Sequence, residues 1–177
     1  MIIKLFKYIF LKYITKYLMK NLIIDVNNFN EKFVYFNEPV KNTIIANSTF
    51  RRILYSNEFM TLNNLQFLIN VKNIKMVKFY QKYKCFININ NDDNNIKNLI
   101  TRLVNIENIL LEKINNTSKI PKYSLLEQVR LGFIKCCHDE NQKVNDNNTT
   151  INIHFKISGL WESETEYGVT YKIISYY

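Results

Sequence analysis

A chain of 177 residues with 47% hydrophobic side chains can bury about 70% of its unfolded surface around one core, so it needs no disulfide or metal staple and is not a disordered segment. Twenty-four Lys and Arg against 15 Asp and Glu give a formal net charge of +9, which favours polyanions or anionic membrane surfaces as partners. That signal is diluted because Lys, Asn, Ile, Tyr and Phe are all over-used, as codons made of A and T alone would dictate.

Residues 1–20, MIIKLFKYIFLKYITKYLMK, space their lysines three to five apart and leave a wide apolar face, which predicts an amphipathic N-terminal helix. The longest uncharged run, Tyr8 to Leu11, is too short for a spanning helix or a signal-peptide core. Such a helix can pack on the domain, lie on a membrane, or precede a true start at Met19.

Residues 21–177 read as a single β-rich domain. KFVYF at 32–36 and FRRILYS at 50–56 are β-prone, and FMTL followed by Asn63-Asn64 and LQFLINV predicts a hairpin turning on the paired asparagines. YKCFINI, 83–89, is a further strand. Asp92-Asp93 offer an N-cap to a helix near 93–115, whose apolar face gathers Ile96, Leu99, Ile100, Leu103, Leu110 and Ile114, flanked by Ile106 and Leu111. Lys97, Arg102, Glu107 and Lys113 are expected on its solvated side.

Pro121 opens a short segment with helical character through Arg130, Gly132 precedes a strand FIKCC, and 138–150 is a polar loop. Ile151, Ile153, Phe155 and Ile157 then alternate with polar neighbours, and Val169, Tyr171 and Ile173 return after an acidic turn, which predicts a C-terminal hairpin over 151–175.

No Gly-rich phosphate loop, GxSxG elbow or HExxH helix occurs, so the residues predict a protein that is not an enzyme, with no cofactor and no small-molecule substrate. Cys85, Cys136 and Cys137 are odd in number and two are adjacent, unlike a secreted disulfide framework. Cys136-Cys137-His138 lacks the paired spacing of a zinc site, and Glu162, Glu164 and Glu166 supply too few constrained oxygens for a hard cation. The Asn-x-Ser/Thr sequons at Asn47, Asn115, Asn116, Asn147 and Asn148 follow from the frequency of asparagine.

The stretch from Lys72 to Lys84 carries five lysines and no acid, interleaved with Phe79, Tyr80 and Tyr83. Cations neutralise phosphates while rings stack on unpaired bases, so this mixture suits single-stranded nucleic acid. From it we take Lys78, Phe79, Tyr80, Lys82, Tyr83 and Lys84 as candidate contacts. Arg51, Arg52 and Tyr55 repeat the combination on the 50–56 strand, as do Lys156, Trp161, Tyr171 and Lys172 on the last hairpin.

FKISGLWESETEYGVTYKI, with PVKNTIIANSTFRRILYSNEF and LNNLQFLINV, resembles the small OB-like single-stranded-DNA-binding replication proteins of large eukaryotic DNA viruses and related mobile elements, over Pro39 to Ile173. The resemblance implies an α+β, mainly antiparallel β fold: an OB-like, partly closed barrel with one long packed helix. It also implies non-specific binding of single-stranded DNA in viral-type replication or recombination. The chain departs from phage-type single-strand binders, which end in an acidic tail, because it ends ISYY with no acid after Glu166. The expected location is intracellular, in host cytoplasm or nucleus, with self-association as a further partner mode. The alternative expectation is a virion or host-interaction protein that binds other proteins and touches a membrane through residues 1–20.

Overall fold

The computed structural model describes residues 23–72, 75–86, 94–114, 118–138 and 150–176. The expected helix at 1–20, the Asp92-Asp93 cap and nearly all of the 138–150 loop lie outside them.

The alternation that runs from Ile151 to Ile157 produces the longest strand of the fold. This strand (β10, Thr150–Glu162) pairs antiparallel with the last one (β11, Glu166–Tyr176) through a short turn. Ser163 closes that turn: its N–H donates to the Glu166 carbonyl at 2.8 Å, and its Oγ accepts from the Glu166 N–H at 3.1 Å. The two strands form a spine, and each outer edge of the spine is divided between two partners.

On the β10 edge the division is made by a bulge between Ile157 and Gly159. Before it, β10 pairs with the eight-residue strand Leu65–Lys72 (β5); after it, with Thr49–Ser56 (β3). A Cβ at Gly159 would overlap the Arg51 carbonyl oxygen and approach the Phe50 ring to 2.7 Å, so the bulge requires glycine. Short strands Val34–Phe36 (β1), Val40–Lys41 (β2) and Thr61–Leu62 (β4) all pair with β3. The expected hairpin on Asn63-Asn64 is therefore not formed. Leu62 pairs back on Tyr55, while Leu65 joins β10, where Leu65, Phe67, Ile69 and Val71 find buried partners in Ile157, Phe155, Ile153 and Ile151.

On the β11 edge, Glu166 to Gly168 pair in parallel with Ile120–Lys122 (β8), and Ile174 and Ser175 with Phe133–His138 (β9). The helical character expected from Pro121 begins later, because Ile120 to Lys122 are taken into the sheet. The helix there is Ser124–Arg130 (α2). Beyond β9 the sheet continues through Lys82–Phe86 (β7) to Lys75–Phe79 (β6).

The fold is α+β with mostly antiparallel pairing, as the sequence led us to expect. The sheet is open: its path runs from β1 to β6 and those end strands do not pair. The OB-like barrel is not formed among the described residues.

The 93–115 helix is present as Asn94–Glu112 (α1), preceding α2 in the chain. Its buried stripe, Ile100, Leu103, Ile106, Leu110 and Leu111, packs with α2 onto one face of the sheet. Ile69, Val71, Ile153, Phe155 and Ile173 of the strands share one small apolar space with Ile100 and Leu103 of α1 and Val129 of α2. This identifies the helix-covered face. No helix among the described residues is long and apolar enough to cross a membrane.

Glu107 overturns its expected place. It is 2% exposed, inside the apolar stripe rather than on the solvated side. The reason is local: α2 begins after Tyr123, which offers no side-chain cap, and the Glu107 carboxylate receives the Leu125 N–H at 2.9 Å and the Leu126 N–H at 3.0 Å. A carboxylate from a neighbouring helix thus replaces the missing N-cap.

Candidate nucleic-acid interface

Because strand side chains alternate, the registers fix which residues stand on the sheet face opposite the helices. On β10 and β11 these are His154, Lys156, Thr170, Lys172 and Ile174; on β7 and β9 they are Lys82, Lys84, Phe86, Phe133, Lys135 and Cys137. Lys72 of β5, Lys75 and Phe79 of β6, and Arg52 of β3 extend the same face. No helix lies on it among the described residues.

Two registers place lysine directly opposite lysine: Lys84 faces Lys135 across β7 and β9, and Lys156 faces Lys172 across β10 and β11. Like charges in opposed strand positions are destabilising. No acid of the described strands stands opposite them. The acids on these strands are Glu162 and Glu166 at the turn end of the spine, and they pair with Lys119 at 2.7 Å and Lys122 at 2.8 Å. His154 adds no charge near neutral pH, since burial and then the nearby Lys156 hold it below the usual imidazole range. Among the described residues the ammonium groups of this face have no carboxylate ion-pair partner.

Rings stand among them. Lys84 Nζ lies 4.1 Å from the Phe79 ring centroid and 4.5 Å from that of Phe133, both within cation–π range. Phe79 meets Tyr80 edge-on at 4.8 Å. Tyr80 occupies the turn between β6 and β7, 84% exposed and with φ of 54°. A bulky side chain rarely adopts that backbone, and such strain is concentrated at functional positions.

Of the thirteen residues singled out from sequence, the structure brings Arg52, Phe79, Lys82, Lys84, Lys156, Trp161 and Lys172 to this face, with Tyr80 at its rim. The other five point elsewhere. Tyr55 is 3% exposed; its ring meets Phe29 and Phe33, and its hydroxyl accepts the Asn30 N–H at 3.2 Å, so it offers no ring to a base. Arg51 shares its strand side with Ile53 and Tyr55 and is half-buried. Tyr83 and Tyr171 pack against the core on the helix side, and Lys78 is exposed beside Tyr83. Lys72 and Lys75 belong to the basic stretch read from the sequence but were not among its candidate contacts, and Phe86, Phe133 and Lys135 were missed. The signal for the last two was the alternation of Phe133, Lys135 and Cys137 with buried Ile134 and Cys136.

A slit opens in this face where β11 leaves β8 and has not yet met β9. It encloses about 330 Å³ and is lined by Val169 to Ile173 on one side and by Lys82, Lys135 and Cys137 on the other, with Trp161 and Gln128. Gln128 braces it. The amide nitrogen donates to the Ser124 carbonyl at 3.2 Å and to the Tyr171 hydroxyl at 2.6 Å, and the amide oxygen accepts the Lys135 N–H at 2.8 Å. Burial, and then the charge of Glu107, push the Tyr171 phenol above its ordinary range, so it stays a neutral strut. Among the described residues no group of three metal-ligating side chains converges.

Comparison of the chain with known protein families, curated proteins and solved structures finds no match.

Proposed function

We propose that the helix-free face of the sheet binds single-stranded nucleic acid without sequence preference, in the viral-type replication or recombination setting, inside a host cell, that the sequence resemblance implies. The observation that carries this reading is the pair of opposed lysines, Lys84 with Lys135 and Lys156 with Lys172, on a face that holds no unpaired acid among the described strands. Their mutual repulsion costs stability in the free protein and is relieved when phosphates come between them. Phe79, Tyr80, Phe133 and Trp161 supply rings for unpaired bases, each worth about 1–3 kcal/mol where it stacks. An OB-like groove is not required, since an open sheet face meets the same chemical demands.

The test is fluorescence anisotropy with a labelled single strand of about 30 nucleotides, titrated at several salt concentrations and repeated with duplex. Preference for the single strand is expected, with affinity falling as salt rises. Replacing Lys84 and Lys156 by Gln should flatten the salt slope by about 0.7 per lysine lost. Equal, feeble binding to both forms would remove the assignment and leave the charge as codon bias.

A further inference from the structure

The slit beside β11 is unlike the rest of the face because it is concave, walled and sized. Its volume of about 330 Å³ stands at the small end of the ~300–1,000 Å³ range of ligand pockets, room for one nucleotide and not for a run of bases. Three ammonium-bearing side chains, Lys82, Lys135 and Lys172, line it, and among the described residues no carboxylate does. Trp161 lines it as well, half-buried and lying across Gly168, where an added Cβ would stand 2.7 Å from the indole nitrogen. The walls are held before any ligand arrives, since Gln128 ties α2 to both β9 and β11.

We propose that this slit is a nucleotide-phosphate pocket: the lysines take the phosphate by charge-assisted hydrogen bonds and the indole packs against the base. The proposal rests on the single-strand reading in that the slit opens on the same face and shares Lys82, Lys135, Lys172 and Trp161 with it. A phosphorylated strand end and a free mononucleotide present the same chemistry to it. Lysine is suited to phosphate as a point charge, and three lysines around one cavity set a stronger local field than the flat face does.

Trp161 is the protein's single tryptophan, so tryptophan fluorescence reports on this wall of the slit. The full chain is titrated with deoxyadenosine monophosphate, deoxyadenosine and inorganic phosphate. Saturable quenching by the monophosphate is expected, with affinity about tenfold above that of the nucleoside. Lys135→Gln with Lys172→Gln should lower that affinity about tenfold while leaving the melting temperature near wild type. Gly168→Ala, which displaces the indole and spares the lysines, should weaken the monophosphate and leave the salt slope for long single strands unchanged.

Oligonucleotides with and without a 5′-phosphate distinguish the sources. Tighter binding of the phosphorylated form identifies strand ends, and equal binding with a retained monophosphate response identifies the free nucleotide. No saturable change at millimolar monophosphate, or equal response to the nucleoside, overturns the pocket. Single-strand binding without a monophosphate response overturns the pocket alone, and the reverse result keeps the pocket and removes the flat-face reading.

Discussion

Glu107 and Leu125 meet across the two helices, the carboxylate of one capping the amide of the other at 2.9 Å in a setting where Glu107 is 2% exposed. Burial raises the Glu107 pKa above the ordinary carboxylate value, and the Leu125 and Leu126 N–H bonds only partly offset it. With the folded pKa above the unfolded one, the folded state holds the proton longer. This contribution to stability is full below the unfolded pKa and is lost as pH rises from about 4.5 through the folded value. Glu107→Gln removes the titration and one of the two accepted bonds, because the amide nitrogen donates and cannot accept, so it should cost about 1–2 kcal/mol at acid pH. As pH rises, the gap to wild type should move in favour of Gln. Denaturant titrations of both proteins between about pH 4 and pH 8 check this; a gap that widens against Gln with pH would refute it.

The two glycines of the spine should respond differently to alanine. At Gly159 the new Cβ meets the Arg51 backbone carbonyl, which the β3–β10 pairing holds in place. At Gly168 it meets the Trp161 indole, a side chain that can turn aside. Gly159→Ala should therefore cost about 3 kcal/mol or more, and Gly168→Ala about 1–2 kcal/mol. Only the second should shift the tryptophan emission in the folded state. Equal costs from chemical denaturation would show that the bulge relaxes more easily than the register implies.

The sequence disclosed those elements whose pattern was local. Ile151 to Ile157 announced a half-buried strand, and the leucines and isoleucines of 96–111 announced the helix. Glu107 was legible too, and was misread. At about 100° per residue it falls between Leu103 and Leu111, in the middle of the apolar arc, and only its charge suggested a solvated place. The β4–β5 hairpin was misjudged for a different reason. Asn63-Asn64 has turn chemistry, but pairing was decided by where Leu65, Phe67 and Ile69 could find buried partners, and those lie about 90 residues away on β10. The slit was not legible at all, because it depends on β8 and β9 both pairing with β11 and leaving its middle unpaired by strand.

The three cysteines should differ in reactivity. Cys85 and Cys136 are buried on the helix side of β7 and β9, while Cys137 is half-buried and lines the slit. The neighbouring Cys136 thiol, and then burial, hold the Cys85 thiol above its usual range, which withholds the thiolate needed for alkylation. Treating the native protein with iodoacetamide and mapping the products by mass spectrometry should find Cys137 modified first, with Cys85 and Cys136 modified only under denaturant. Early labelling of Cys85 would contradict its place in the core.

Tyr80 offers a trade between stability and binding. Its φ of 54° costs of order 1–3 kcal/mol for a bulky residue, against which stands the edge-on contact with the Phe79 ring. Tyr80→Gly relieves the strain at a two-residue turn, where glycine is the favoured residue, although it frees the unfolded chain as well. The expected net is a gain of a few tenths to about 1 kcal/mol in unfolding free energy. The same variant removes the most exposed ring of the basic hairpin and should weaken single-strand binding about five- to tenfold. Tyr55→Phe serves as the comparison: it removes only the bond from the Asn30 amide in the core, so it should lower stability and leave binding unchanged. If Tyr80→Gly is more stable and binds as well as wild type, the strained turn has no part in recognition. If Tyr55→Phe binds less well while still folded, the interface extends to the helix side of the sheet.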